Sequence, residues 1–135
     1  AALGFAFDRH ALRNQIQALC FELEAPARVR VLVARSGASA VETGPLPTPL
    51  GEPVKVAALP HPLDPSDWRL MHKTSDRGFW DDALAAAQAL GADEAVLVRD
   101  DGLVTEGSFT SVFAQEADGV LLTPPAALGL LPGVL

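Results

Sequence analysis

Residues 95–106 read Ala95-Val96-Leu97-Val98-Arg99-Asp100-Asp101-Gly102-Leu103-Val104-Thr105-Glu106. A valine-rich run, a tight Asp-Asp-Gly break and a second β-prone run form a strand over 95–99, a turn at 100–102 and a returning strand over 103–106. Just upstream, Asp81 and Asp82 stand where a helix start favours negative charge. Residues 84–90 are alanine-rich, and Gly91 is placed as the C′ residue that closes the helix. Downstream, a strand over 111–115, a turn at Ala117-Asp118-Gly119 and a strand over 120–123 continue the pattern. The second half therefore reads as a meander of strands with one helix, which puts the chain in the α+β class.

Working back toward Ala1, Asp8 is a natural N-cap for a helix running to about Leu19. Leu12, Ile16 and Leu19 share one face at i, i+4 and i+7, and that face is assigned to the core. The single Cys20 has no internal disulfide partner and is read as a small buried apolar residue. Residues 28–33 alternate with period two, with Arg28 and Arg30 on the wet face. Ser36-Gly37 turns the chain and residues 40–43 return as a hairpin strand. Pro45, Pro47, Pro49 and Pro53 then crowd a stretch that cannot donate to a sheet ladder. Residues 45–53 are accordingly a linker between one domain over 1–44 and another over 54–135. The second domain opens with a strand over 54–58, and Pro60, Pro62 and Pro65 keep residues 60–67 irregular, so that Lys73 follows a loop.

The chain has 135 residues, 49% of them apolar, a composition that supports one ordinary core or two small ones. Its net charge of -7 includes only 10 lysines and arginines in no basic run, which argues against a nucleic-acid ligand, because phosphate contacts need a basic face. The apolar stretches fall short of a bilayer span and no signal sequence opens the chain, so a soluble cytoplasmic protein is the expectation. The sequence starts without methionine and stops directly after a Pro-Gly turn of the kind that opens a helix, and it reads as a fragment. His10, His61 and His72 lack metal-ligand spacing, and neither a nucleophile elbow nor a phosphate-loop motif occurs. No metal is expected.

The chemistry lies in a dispersed set. Lys73 sits in His72-Lys73-Thr74-Ser75-Asp76-Arg77, Glu106 follows 33 positions later in Val104-Thr105-Glu106-Gly107-Ser108, and Leu122-Thr123-Pro124-Pro125 leads to Leu130-Leu131-Pro132-Gly133. A lysine that forms an imine must lose a proton near neutral pH, which requires a desolvated or cation-flanked site; Arg77 and an aromatic-rich helix start flank this one. A strand-end carboxylate beside small hydroxyl residues can keep a pyridine nitrogen protonated. This order of residues resembles the fold-type IV enzymes dependent on pyridoxal 5′-phosphate (PLP). That family holds branched-chain and D-amino-acid aminotransferases and aminodeoxychorismate lyase.

The resemblance covers residues 54–135 well and residues 1–44 loosely. It implies part of a C-terminal large domain, a β-rich pseudo-barrel with helices, preceded by the tail of an α/β small domain. It also implies PLP as cofactor, Lys73 as the Schiff-base lysine and Glu106 as the partner of the pyridine nitrogen. Ser108, Thr110 and Ser111 are further cofactor contacts in this reading, and Leu131 packs on the ring. Gly133, Val134 and Leu135 would hold the phosphate at a helix start. A homodimer acting on a small-molecule substrate is expected.

Arg77, four places after the lysine, resembles the Lys-x-x-x-Arg of the lyase branch, whereas branched-chain transaminases tend to place a tyrosine nearby and this chain has none. The resemblance thus favours a lyase that converts 4-amino-4-deoxychorismate to 4-aminobenzoate and pyruvate, with Arg77 as a substrate contact. The alternatives are a class IV aminotransferase acting on branched-chain or D-amino acids and a non-catalytic remnant with a packing or dimer role. Two positions depart from the family pattern. The arginine that grips the cofactor phosphate belongs to the small domain upstream of residue 1, and the asparagine usual five places after the glutamate is Ser111.

Overall fold

The structure, a computed structural model, describes residues 3–131. It divides into two compact units, Ala1–Pro49 and Leu50–Leu135. The division falls inside the proline-rich stretch, whose four prolines lack the N–H groups that a sheet ladder needs.

In the first unit, helix α1 (Arg9–Glu22) starts where Asp8 accepts the backbone N–H groups of His10 at 2.9 Å and Ala11 at 3.0 Å. It runs three residues past Leu19. Leu12, Ile16 and Leu19 share the inner face but are only half-buried, and no residue of the helix is fully buried. Cys20, one step off that face, is exposed, which corrects its assignment as a buried residue. One helix over two strands gives too thin a layer to enclose it. Strands β1 (Arg28–Val33) and β2 (Ser39–Gly44) form an antiparallel hairpin in which Arg30 faces Glu42, their side chains 3.9 Å apart.

The second unit is built on a three-stranded sheet of order β3-β4-β5, from β3 (Val56–Pro60), β4 (Glu94–Val98) and β5 (Val104–Gly107). β3 and β4 run parallel, joined by a crossover that contains a 3-10 helix (Trp68–Met71) and helix α2 (Gly78–Ala89). β4 and β5 are antiparallel. The expected meander is therefore corrected: its first connection is a β-α-β crossover. Burial gives the reason. β4 reads as a continuous apolar run after Glu94, the pattern of a strand covered on both faces, and α2 supplies the cover. Leu70, Trp80, Ala87, Ala95 and Leu97 form the core.

Helix α2 ends at Ala89 with Leu90 as its C-cap, and Gly91 adopts φ +78°, the left-handed conformation that closes a helix. β3 begins two residues later than expected and takes in Pro60 as its last residue, tolerable on an edge strand. The second hairpin is shorter than the expected strands 111–115 and 120–123: β6 (Ala114–Gln115) pairs with β7 (Leu121–Leu122) for two residues only. All four side chains are exposed, so no buried face extends the pairing away from the turn. Among the described residues no helix is long and apolar enough to cross a membrane.

Candidate active site

The pairing of β4 with β5 contains an irregularity that aims the site. Val96 faces Gly107 and Val98 faces Val104, so one residue on β4, Leu97, lies opposite two on β5, Thr105 and Glu106. A β-bulge of this kind re-aims a side chain and breaks strict alternation. Its effect is visible in burial, since Thr105, Glu106 and Gly107 are all buried in succession. Thr105 donates its hydroxyl to the Leu97 carbonyl at 2.9 Å. Glu106 is turned toward α2 and the 130–131 segment.

The Glu106 carboxylate is 8% exposed. Trp80, 2% exposed on the first turn of α2, donates its indole N–H to Oε1 at 3.1 Å. Burial raises the carboxyl above the ordinary glutamate range. The Trp80 N–H, the Leu131 backbone N–H and the positive charges of Arg77 and Lys73 oppose that rise. Glu106 also lines a cavity of about 290 Å³, together with Thr105, Ser111, Val112, Phe113, the Thr123-Pro124-Pro125 turn and Leu130-Leu131. That volume lies near the lower end of small-molecule pockets, roughly 300–1,000 Å³. A second cavity of about 460 Å³, lined by residues that include His61, Asp64, Arg99 and Asp101, holds none of the residues assigned a catalytic or cofactor role from sequence. We place the site at the first cavity because it has a buried carboxylate in its wall.

Lys73 is exposed in the loop between the 3-10 helix and α2, near enough to Glu106 for its charge to act there but outside the cavity wall. The loop is clamped by Arg69. Its guanidinium reaches Asp67 at 2.7 Å and Asp76 at 3.3 Å, and lies 5.0 Å over the Phe79 ring. Through that contact, and through the Arg69 backbone N–H, the Asp67 carboxyl is held down to about 2. Arg77 donates to the Ser108 carbonyl at 2.6 Å, stands 5.1 Å over the Trp80 ring and approaches Asp81 at 4.0 Å.

Ser108 and Thr110 serve a different partner. Glu94, 2% exposed at the head of β4, accepts the backbone N–H of Ala95 at 2.8 Å and both the N–H, at 3.0 Å, and the hydroxyl of Ser108 on one oxygen. Its other oxygen accepts the Thr110 hydroxyl at 2.9 Å. Among the described residues no lysine or arginine pairs with it. Glu94 and Trp80 were both missed from sequence. Glu94 lies one residue before the strand expected over 95–99 and is the first residue of β4. Its signal was an acid directly before a buried apolar run, with a Ser-x-Thr downstream to satisfy it. The signal for Trp80 was a core-facing indole, which needs a buried acceptor for its N–H.

Of the residues assigned from sequence, the structure brings Glu106, Ser111 and Leu131 around the cavity and places Lys73 and Arg77 beside it. Ser108 and Thr110 turn to Glu94. Gly133, Val134 and Leu135 lie outside the described residues.

Over residues 1–135 the chain matches the family model described as amino-transferase class IV. It is 32% identical to a protein designated an amino-acid aminotransferase from Mesorhizobium loti, over 98% of this chain and 64% of that one, with a TM-score of 0.81. The chain belongs to the class IV aminotransferase family. It is also similar, at 25% identity, to a hypothetical aminotransferase from Mycobacterium tuberculosis in its PLP-bound form, covering 93% of this chain and 50% of that one with a TM-score of 0.72. At 22% identity it shares the fold of a protein designated 4-amino-4-deoxychorismate lyase from Legionella pneumophila, over 90% of this chain and 49% of that one, again with a TM-score of 0.72. No curated protein sequence matches it. This class IV chain thus spans 64% of the length of the first of these relatives and about half of the other two.

Proposed function

We propose that the whole protein is a PLP-dependent enzyme that moves an amino group between an amino acid and a 2-oxo acid. One observation carries this reading: a buried glutamate, bulged out of its strand and held by an indole N–H, forms the wall of a cavity the size of one substituted ring. The residues fit the ring end of the cofactor. A carboxylate suits a protonated pyridine nitrogen, Ser111 offers a hydroxyl, and Leu131 with Val112 offers apolar surface for the ring faces.

Bound there, PLP supplies an electron sink for charge developed at the substrate Cα. Glu106 would face the ring nitrogen and favour its protonated form. Lys73 would hold the cofactor through its Nζ, and the same amine would carry the proton to and from the substrate Cα. The Arg69 clamp fixes the loop on which Lys73 rides. Gly133, Val134 and Leu135 remain assigned to the phosphate by family resemblance. A homodimer belongs to the same reading and is checked by sedimentation of the whole protein.

The lyase reading rested on Arg77, and the geometry of that residue reduces its weight. Its guanidinium is engaged by the Ser108 carbonyl and the Trp80 ring, so a substrate carboxylate would compete with both. The absence of tyrosine still favours the lyase, which we keep as the second reading. Given 4-amino-4-deoxychorismate alone, a lyase releases 4-aminobenzoate and pyruvate over many turnovers. A transaminase is inert to that compound alone and moves amino groups only when a 2-oxo acid is present. Failure to bind PLP or to turn over either substrate would leave a non-catalytic packing or dimer-forming role.

A further inference from the structure

One buried contact in the site has no role assigned to it so far, the one between Trp80 and Glu106. Both side chains are buried, and the indole N–H to Oε1 distance is 3.1 Å. The indole is held in place by several neighbours. Its backbone N–H donates to the Arg77 carbonyl at 2.9 Å, the Phe79 ring lies with its centroid 3.8 Å away, and the Arg77 guanidinium stands 5.1 Å over the ring. An indole N–H can only donate, so an oxygen facing it can only accept. Such a bond is stronger to a carboxylate than to a neutral carboxylic acid.

We propose that Trp80 is the positioning residue of this site, fixing the Glu106 carboxylate as an acceptor in the cavity wall and favouring its charged form. The role rests on the cofactor reading above, in which Glu106 must meet a protonated ring nitrogen as an anion. Burial pushes the Glu106 carboxyl the other way. The charges that assist Trp80 come from neighbouring elements: Arg77 at the start of α2 and Lys73 in the loop before it. The other buried acid in this part of the sheet, Glu94 on β4, bonds Ser108 and Thr110 instead. Without the indole N–H, the charged form of Glu106 keeps only the Leu131 N–H and two cations that reach it through space.

The test follows the indole N–H directly by NMR of the whole, cofactor-free protein labelled with 15N-tryptophan. One indole resonance is expected to shift with pH, with a midpoint above the ordinary glutamate range, and to become pH-independent in Glu106→Gln. Indole resonances that all stay fixed, or a titration that persists unchanged in Glu106→Gln, would overturn the proposal. A second measurement uses protein loaded with PLP. Trp80→Phe keeps an aromatic ring but removes the N–H, and should move the midpoint of the pH-dependent cofactor absorbance upward by roughly one unit, the weight of one charge-assisted hydrogen bond. An unchanged midpoint would also overturn it. If Trp80→Phe does not fold, the NMR experiment, which leaves Trp80 in place, decides. Protein that takes up no PLP would sink the cofactor reading, while the indole titration would still decide the coupling of Trp80 to Glu106.

Discussion

Ser108 gives both its backbone N–H and its hydroxyl to a single oxygen of Glu94, a carboxylate 2% exposed with no cation paired to it among the described residues. The arrangement pins the turn over 107–110 to the head of β4, and Glu106 lies at the residue just before that turn. Ser108 also offers its carbonyl to Arg77, so the same short segment joins the buried acid to the cation that acts on Glu106. Two carboxylates thus organise the end of the sheet, one for architecture and one facing the cavity.

Replacing Glu94 with alanine removes the acceptor shared by four donors, the Ala95 and Ser108 backbone N–H groups and the Ser108 and Thr110 hydroxyls; the Ser108 N–H keeps the Ala95 carbonyl at 3.1 Å. A buried donor left unsatisfied costs about 1–3 kcal/mol, so Glu94→Ala should rank among the most destabilising single changes in the second unit. Glu94→Gln retains an oxygen acceptor and should lose less. Denaturant unfolding of both variants of the whole protein checks the order, and equal losses would contradict it.

Gly107 is required by close approach. A Cβ built there would overlap the Thr110 hydroxyl and stand 3.1 Å from Glu94 Oε2. Overpacking of this kind costs about 1–3 kcal/mol. Because Thr110 is the main obstacle, Gly107→Ala should cost less in a Thr110→Ala background than alone, the non-additivity expected of touching residues. Strict additivity of the two changes in thermal melts would place the clash elsewhere.

Much of the second unit was legible in short-range chemistry. The alanine-rich helix with acids at its start and Gly91 at its end, the Asp-Asp-Gly turn, and the order of Lys73, Glu106 and the Thr-Pro-Pro segment are local signals that survive folding. What could not be read were pairings across space. Short apolar runs mark β3 and β4 as strands but say nothing of their relative direction, which is set by the crossover through α2. The bulge at Thr105 and Glu106 exists only relative to Leu97 on the neighbouring strand. Hydroxyl residues at 108 and 110 pointed equally to a cofactor or to an internal acid, and Glu94 took them because its buried carboxylate needs donors.

Glu106 should reduce stability at neutral pH. Its carboxyl is raised by burial, so the folded state holds the proton more tightly than the unfolded chain does. Its stabilising contribution is complete below the ordinary glutamate value of about 4.3 and is lost as pH rises through the folded value. Glu106→Gln removes that ionisation. The Tm of the cofactor-free variant should therefore exceed that of the parent at pH 7, with the gap closing as the pH falls to 4. A variant less stable than the parent by the same margin at both pH values would show that ionisation of Glu106 is not resisted by burial.

The most direct test of the cofactor reading is where PLP attaches. The sequence offers two lysines, Lys55 before β3 and Lys73 beside Glu106. The whole protein, incubated with PLP, reduced with borohydride and digested, should carry the added mass on the peptide containing Lys73. Lys73→Ala should abolish both the label and the visible absorbance of the bound cofactor. A label on Lys55, or a folded protein with no label at all, would contradict the assignment of this site.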